Sequence, residues 1–261
     1  EECRKPMTLR VGIIGVGHLA SYVVEGLCAA NDPPDILLSP RNAKRASALR
    51  ERFGVRTAND NRTVVSQSDI VILATRPPQA LKAATDLPWR AKQTLICVAA
   101  GVSCVELSTV ASPATIVRAM PVSCVAIGES PTSLYPDDAN ARSLFTRLGP
   151  VIALPDESSF QAASVIGAYY AWIYALVAET MPWLETAGVP NAAGRSLILQ
   201  AIRGAAGMML ARPDDSPADM IRKLATPGGI TEHGLELLDQ RGALTAWRDA
   251  CQVSLERLQN Q

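Results

Sequence analysis

The chain has 261 residues, enough for one large domain or two ordinary ones, and 48% of them are hydrophobic, enough to bury a sizeable core. Its 25 basic and 25 acidic side chains cancel, which argues against nucleic acid or an anionic membrane as the main partner, because both need a net basic field. Cys3, Cys28, Cys97, Cys104, Cys124 and Cys251 form no CxxC pair, and His18 and His233 are the only histidines, so no metal site is expected and the cysteines read as buried free thiols of a reducing cytoplasm. The longest apolar stretches, around Ile13 and from Val165 to Ala178, are broken by glycine or too short to span a membrane. No charged region followed by an apolar stretch opens the chain, which predicts no secretory leader, and Met7 reads as a natural initiator behind an extension, Glu1 to Pro6.

The first half alternates short apolar runs with helical stretches. Leu9 to Gly15 reads as a strand, Leu19 to Ala30 as a helix, Ile36 to Leu38 as a strand and Ala43 to Phe53 as a helix. Asp69 to Ala74 (DIVILA), Thr94 to Ala99 (TLICVA) and Ala114 to Arg118 (ATIVR) are continuous apolar runs, the pattern of strands buried on both faces of a parallel sheet. Their alternation with helices predicts a doubly wound α/β fold. After a last short strand, Val151 to Leu154, the pattern is helical only. Phe160 to Ala187 is a long helix that Pro182 should kink or end. Ala192 to Leu210, Ala218 to Leu224 and Ala243 to Leu258 are further helices, and Thr231, after a Thr226-Pro227-Gly228-Gly229 turn, caps a helix running toward Leu238. The expected organisation is a Rossmann domain over 1–155 and an all-α domain over 156–261.

The sharpest local motif is VGIIGVGHLA, residues 11–20, in which Gly15, Gly17 and Ala20 fit GxGxxG/A between a strand and a helix. Gly15 permits the tight turn, Gly17 lets a pyrophosphate approach the backbone, and Ala20 lets helix and strand pack closely. The helix then presents free N–H groups and a positive dipole end to the phosphates. His18 contributes its backbone N–H more than its ring. Enzymes that use NAD carry an acid at the end of the second strand for the ribose hydroxyls; here that place reads Leu38-Ser39-Pro40-Arg41-Asn42, and Asp35 stands at the strand's beginning. Ser39, Arg41 and Asn42, with Lys44 or Arg45 nearby, suit a 2′-phosphate, so NADP is expected ahead of NAD, although Arg41 and Lys44 also read as a solvated helix start.

With these motifs in order, the chain resembles the pyrroline-5-carboxylate reductase family over nearly its whole length. The matches are the glycine loop, DIVILATRPP at 69–78, AAGVS at 99–103, RAMPVS at 118–123 and ATPGGIT at 225–231. The resemblance implies a Rossmann domain followed by a helical dimerisation domain, homodimers built through swapped C-terminal helices and often assembled further, and reduction of a cyclic imine by hydride from NAD(P)H. It implies cofactor contacts at Gly15, Gly17, His18 and Leu19, at Ala74, Thr75, Arg76 and Pro77, at Ala99, Ala100 and Gly101, and at Met120 and Pro121. Substrate contacts fall at Val122, at Gly167 and Ala168, and at Gly228, Gly229 and Ile230, and Thr231 matches a threonine whose hydroxyl lies near the imine nitrogen.

The departures concentrate on the substrate side. The family follows Met-Pro with Asn and Thr, whereas Val122, Ser123 and Cys124 stand here. Its SGSGPAY loop has become Ile166-Gly167-Ala168-Tyr169-Tyr170-Ala171-Trp172, in which Gly167 and Ala171 alone persist. A small polar loop has turned bulky and aromatic, which should change the substrate, because a polar site rejects a ligand that leaves its groups unpaired. Threonine is a poor acid, so Tyr169 or Tyr170 is a candidate proton donor, weighed against both rings filling space at an interface. Asp156 and Glu157 read as an acidic pair best explained as a solvated helix cap; His233, Glu179, Glu185, Asp214 and Asp215 read as structural or surface groups. Two other functions stay open: an NAD(P)-dependent dehydrogenase of an amine or hydroxy acid, and a dinucleotide-binding protein without catalysis.

Overall fold

The computed structural model describes residues 8–259; Cys3, Met7 and the extension before it lie outside them. Eight strands form one sheet: β1 (Arg10–Ile14), β2 (Asp35–Leu38), β3 (Arg56–Thr57), β4 (Ile70–Leu73), β5 (Thr94–Cys97), β6 (Thr115–Met120), β7 (Thr132–Tyr135) and β8 (Val151–Ala153). They lie side by side in the order β3-β2-β1-β4-β5-β6-β7-β8. The first six are parallel in the 3-2-1-4-5-6 order of a dinucleotide-binding sheet, β7 runs antiparallel to β6, and β8 parallel to β7.

Helices α1 (His18–Ala29), α2 (Ala43–Phe53), α3 (Asn61–Gln67), α4 (Pro77–Ala84), α5 (Cys104–Ala111) and α6 (Ala139–Thr146) connect the strands. Every residue of β4 and β5 is buried, because the apolar side chains of both faces are covered. Val11 and Ile13 pack with Val23, Val24 and Leu27 of α1 on one face, and Val71 and Leu73 with Val64, Val65 and Leu107 on the other. The short β3 and β7 and helices α3 to α6 carry no long periodic pattern; capping by Asp60, Ser103 and Asp138 marks where α3, α5 and α6 begin.

The second half differs from its sequence reading in two places, the long helix and the Thr231 cap. The long helix expected from Phe160 is two helices, α7 (Glu157–Ala163) and α8 (Ile166–Thr186). Ser164 and Val165 tuck inward between them, and the backbone tightens there, with Val165 N donating to Ala162 O and Gly167 N to Ser164 O. Pro182 does not end α8, which continues to Thr186. Thr231 does not cap its helix. The chain goes on through α9 (Asn191–Ala211), α10 (Pro217–Leu224), α11 (Ile230–Gln240) and α12 (Ala243–Gln259), and the N-cap of α11 is Gly229. The turn closes one step early, Gly229 N donating to Thr226 O at 2.8 Å, and the Glu232 carboxylate reaches back to accept from Gly228 N at 2.7 Å.

Residues 157–186 are also long and apolar enough, by length and composition alone, to cross a membrane, with mean hydropathy 1.3 in the best window. The sequence reading stopped the apolar stretch at Ala178; α8 runs on to Thr186, and α7 precedes it across the turn at Ser164 and Val165.

By contacts the chain divides into a unit of residues 1–167 with 257–261 and a unit of residues 168–256. The first extends past the expected boundary at 155 because α7 packs with the sheet: Phe160 is buried, and the Arg118 guanidinium of β6 stacks 4.6 Å from its ring centre. The second unit is helical throughout. Apart from Gly194 of α9, none of the residues of α8 to α12 is buried in the single chain.

Candidate active site

The carboxyl ends of β1, β2, β4, β5 and β6 open on one edge of the sheet, where doubly wound folds bind their ligands. Gly15 ends β1 at φ +95°, a left-handed conformation that disfavours any side chain. A Cβ on Gly17 would meet nothing within 4 Å. Gly17 is also the N-cap of α1, and no side chain caps that helix, so its first N–H groups point out of the loop unclaimed. An open backbone step beside an uncapped helix is a cradle for a phosphate, and a dinucleotide fits it.

Ser39 and Asn42 brace this loop from below. Gly15 N donates to Ser39 Oγ at 3.0 Å, and Asn42 Nδ2 donates to Val16 O at 2.8 Å from a left-handed backbone at φ 71°. Both were expected at a 2′-phosphate; each also bonds the loop backbone, and Ser39 is only 1% exposed while Asn42 is exposed. Arg41 and Lys44 remain exposed at the start of α2. Arg45 turns toward α1, with its Nη2 3.1 Å from His18 Nε2. Asp35 lies at the opposite end of β2, in an ion pair with Arg56 at 2.6 Å.

Around the edge, Ala74, Thr75, Arg76 and Pro77 follow β4, and Ala99, Ala100 and Gly101 follow β5. The Thr75 hydroxyl is buried with no hydrogen-bond partner, a polar group left facing inward at the cofactor edge. Met120 ends β6, Pro121 and Val122 follow it, and Gly167 approaches two of the three: a Cβ there would lie 3.7 Å from Val122 Cγ1 and 3.8 Å from Met120 Cγ. One unit thus gathers the whole predicted cofactor set with Val122 and Gly167.

The remaining predicted residues belong to the helical unit. Ala168, Tyr169 and Tyr170 open α8; the Tyr169 ring centre lies 5.9 Å from Trp172 and 5.3 Å from Trp247, and Tyr170 meets Tyr174 at 5.2 Å. Gly228, Gly229, Ile230 and Thr231 form the exposed turn into α11, where Ile230 is 94% exposed. His233 Nδ1 lies 3.1 Å from Gly229 O, so its ring helps to hold that turn.

Of the acidic pair, Asp156 is the cap of α7: it accepts from Ser159 N at 2.7 Å, which holds its carboxyl below the usual carboxylate range. Glu157 is not a solvated cap. Its Oε1 accepts from Arg118 Nη1 at 2.9 Å and from Cys104 N at 2.8 Å. Sequence reasoning missed this pair; the one signal was an arginine inside the apolar run of β6. Burial, with the Glu157 charge beside it, pushes the Cys104 thiol up to about 12, and burial pushes Cys97 up to about 11.

Comparison with known proteins agrees with this geometry. Residues 157–261 match the family model for pyrroline-5-carboxylate reductase dimerisation, and residues 10–101 match that for a coenzyme F420-dependent NADP oxidoreductase. A pyrroline-5-carboxylate reductase of Synechocystis is 27% identical over 97% of this chain and 98% of its own length. Over nearly its whole length the chain is thus similar to pyrroline-5-carboxylate reductases, and its residues 157–261 match their dimerisation model. Among solved structures, the Streptococcus pyogenes enzyme superposes with a TM-score of 0.86 at 24% identity over 97% of this chain and 99% of that one. The Plasmodium falciparum pyrroline carboxylate reductase, with NADP bound, gives 0.85 at 19% identity over 97% of both chains.

Proposed function

We propose that this chain is an NADPH-dependent reductase of a C=N bond, taking a cyclic imine or imino acid to the amine. The open Gly17 step beside the uncapped α1, in a chain matched end to end by pyrroline-5-carboxylate reductases, carries the reading. The dinucleotide supplies hydride from its nicotinamide; the protein supplies position and electrostatics. Gly15, Gly17, His18 and Leu19 hold the pyrophosphate through backbone N–H groups, Arg41 and Lys44 take the 2′-phosphate, and the segments at 74–77, 99–101 and 120–121 line the rest. In the sheet's unit Val122 and Gly167 are the substrate contacts; in the helical unit the substrate contacts are Ala168 and the Gly228–Ile230 turn, with the Thr231 hydroxyl for the imine nitrogen. Dinucleotide work belongs to 1–155 and substrate binding and pairing to 156–261, a division supported by the dimerisation match at 157–261.

Val122 and the aromatic opening of α8 favour an imine other than pyrroline-5-carboxylate. The packing of Tyr169 against two tryptophans favours a space-filling role for that ring. Full turnover in both Tyr169→Phe and Tyr170→Phe would remove the phenols from the chemistry. The same reading gives a homodimer or larger assembly in the cytoplasm, with neither nucleic acid nor membrane as partner, in keeping with 25 basic against 25 acidic side chains.

The test follows NADPH and NADH oxidation by absorbance, with pyrroline-5-carboxylate beside a panel of cyclic and acyclic imines. Turnover of another imine alone supports a rebuilt pocket, and turnover of pyrroline-5-carboxylate keeps the reductase but overturns the altered specificity. Tight NADPH binding without turnover of any imine would overturn the enzyme in favour of a dinucleotide-binding protein.

A further inference from the structure

Arg118 is a cation in an otherwise apolar place. It is 3% exposed, its guanidinium stacks 4.6 Å from the Phe160 ring centre, and its Nε has no hydrogen-bond partner. Its charge is met by Glu157 at 2.9 Å. A buried ion pair is weak evidence for stability, since apolar residues of the same volume often serve as well; what it adds is fixed registry among the segments it joins.

Here it joins three segments. Arg118 stands two residues before Met120, on the strand that delivers Met120, Pro121 and Val122. The oxygen that accepts from Arg118 also accepts from the backbone N–H of Cys104, the first residue of α5, directly after the 99–103 loop. Glu157 itself opens α7, which leads through Ser164 and Val165 to Gly167, seated over Val122 and Met120. One carboxylate oxygen therefore ties the loop after β5, the loop after β6 and the approach to α8 at a single point. Ser103 and Glu106 already form a capping box on α5, so the bond from Cys104 to a residue 53 positions away is an addition to local capping.

We propose that Arg118 and Glu157 are positioning residues for hydride transfer, holding the 99–103 and 120–122 loops in register with Gly167 without touching cofactor or substrate. The proposal rests on the reductase reading above. Misplacement of about 1 Å at such a point costs on the order of a hundredfold in rate.

The experiment measures kcat, KM for NADPH and imine, NADPH affinity by fluorescence titration, and the isotope effect from NADPH deuterated at the transferred hydrogen. The proteins are the wild type, Glu157→Ala and Glu157→Gln, the last keeping the size of Glu157 and an acceptor oxygen. Glu157→Ala is expected to lower kcat by about tenfold to a hundredfold, to weaken NADPH binding by a much smaller factor because the glycine loop at 15–19 is untouched, and to raise the isotope effect as hydride transfer becomes limiting. Glu157→Gln, which keeps the acceptor oxygen and loses the charge facing Arg118, is expected to fall between wild type and Glu157→Ala, with kcat lowered about threefold to tenfold and the isotope effect raised, and it remains the test if Glu157→Ala fails to fold. An unchanged isotope effect, with kcat falling only as the folded fraction falls, would mean a merely structural pair and overturn the proposal. So would Glu157→Gln losing NADPH affinity as much as kcat. A wild type that binds NADPH and reduces no imine overturns the reductase reading, and this proposal with it.

Discussion

Gly15 lies so close to Ala74 that a Cβ on it would stand 2.8 Å from the Ala74 carbonyl carbon, whereas Gly17 would meet nothing within 4 Å. The two glycines should therefore fail differently. Gly15→Ala forces a side chain into φ +95° and against the backbone after β4, at a cost of about 1–3 kcal/mol in stability. Gly17→Ala places a methyl where the pyrophosphate would lie. It is expected to leave the melting temperature unchanged and weaken NADPH binding about tenfold, or 1.4 kcal/mol. Thermal melts and NADPH titrations of both variants check this; a Gly17→Ala protein that binds NADPH as wild type would remove the cradle.

Ser39 and Asn42 already bond the loop backbone, whereas Arg41 and Lys44 stand exposed, so the discrimination between NADPH and NADH is expected to rest mainly on the two cations. Charge-assisted hydrogen bonds contribute about 1.5–3 kcal/mol each. Arg41→Ala combined with Lys44→Ala is expected to weaken NADPH binding at least about tenfold and to leave NADH binding unchanged. Ser39→Ala is expected to weaken both together, because it frees the Gly15 amide that fixes the loop. Equal losses for the two dinucleotides in the cation variant would move the 2′-phosphate elsewhere.

The sheet and its loop were legible because they depend on local pattern. Unbroken apolar runs at β4 and β5 suit strands covered on both faces, their shortness favours strand over helix, and two glycines between a strand and a helix specify a turn. Ser39 and Asn42 were placed at the right loop, but their bonds to its backbone were not foreseen, because a short polar side chain serves a phosphate and a backbone group equally well. Arg118 and Glu157 stand 39 positions apart, and Glu157 and Cys104 stand 53 apart; no periodicity connects them, so only the folded chain brings them together. The break at Ser164 was hidden for a related reason, since it depends on two side chains finding cover rather than on a helix-breaking residue.

Cys97 and Cys104 hold their protons more tightly in the folded chain than a free thiol, whose ordinary value is 9.0. The sign follows: the unfolded chain ionises first, so the stability these thiols contribute is complete below pH 9.0 and is lost as pH rises through about 11 and 12. Melting temperatures from pH 8 to 11 should fall more steeply for the wild type than for the Cys97→Ala, Cys104→Ala double variant, which isolates the thiols from tyrosines and lysines that titrate in the same range. Parallel curves would show that both thiolates form in the folded state without cost.

The helical unit of the single chain leaves Leu197, Leu210 and Leu224 at 64%, 83% and 70% exposure, and nearly all of its length lacks a buried residue. So little burial leaves the apolar faces of these five helices uncovered, and a second copy of the chain is the expected cover, in keeping with the match of 157–261 to a dimerisation model. At micromolar concentration the protein is expected to sediment as a dimer or larger. Leu197→Asp with Leu210→Asp should shift it to monomer, since four leucines across a two-fold interface contribute about 1.5–3 kcal/mol each when covered. The same variant should lose catalysis while its Rossmann unit still binds NADPH, because the glycine loop and its braces lie within residues 1–167. A wild-type monomer, or a double variant that stays dimeric with full activity, would place these leucines outside the pairing surface.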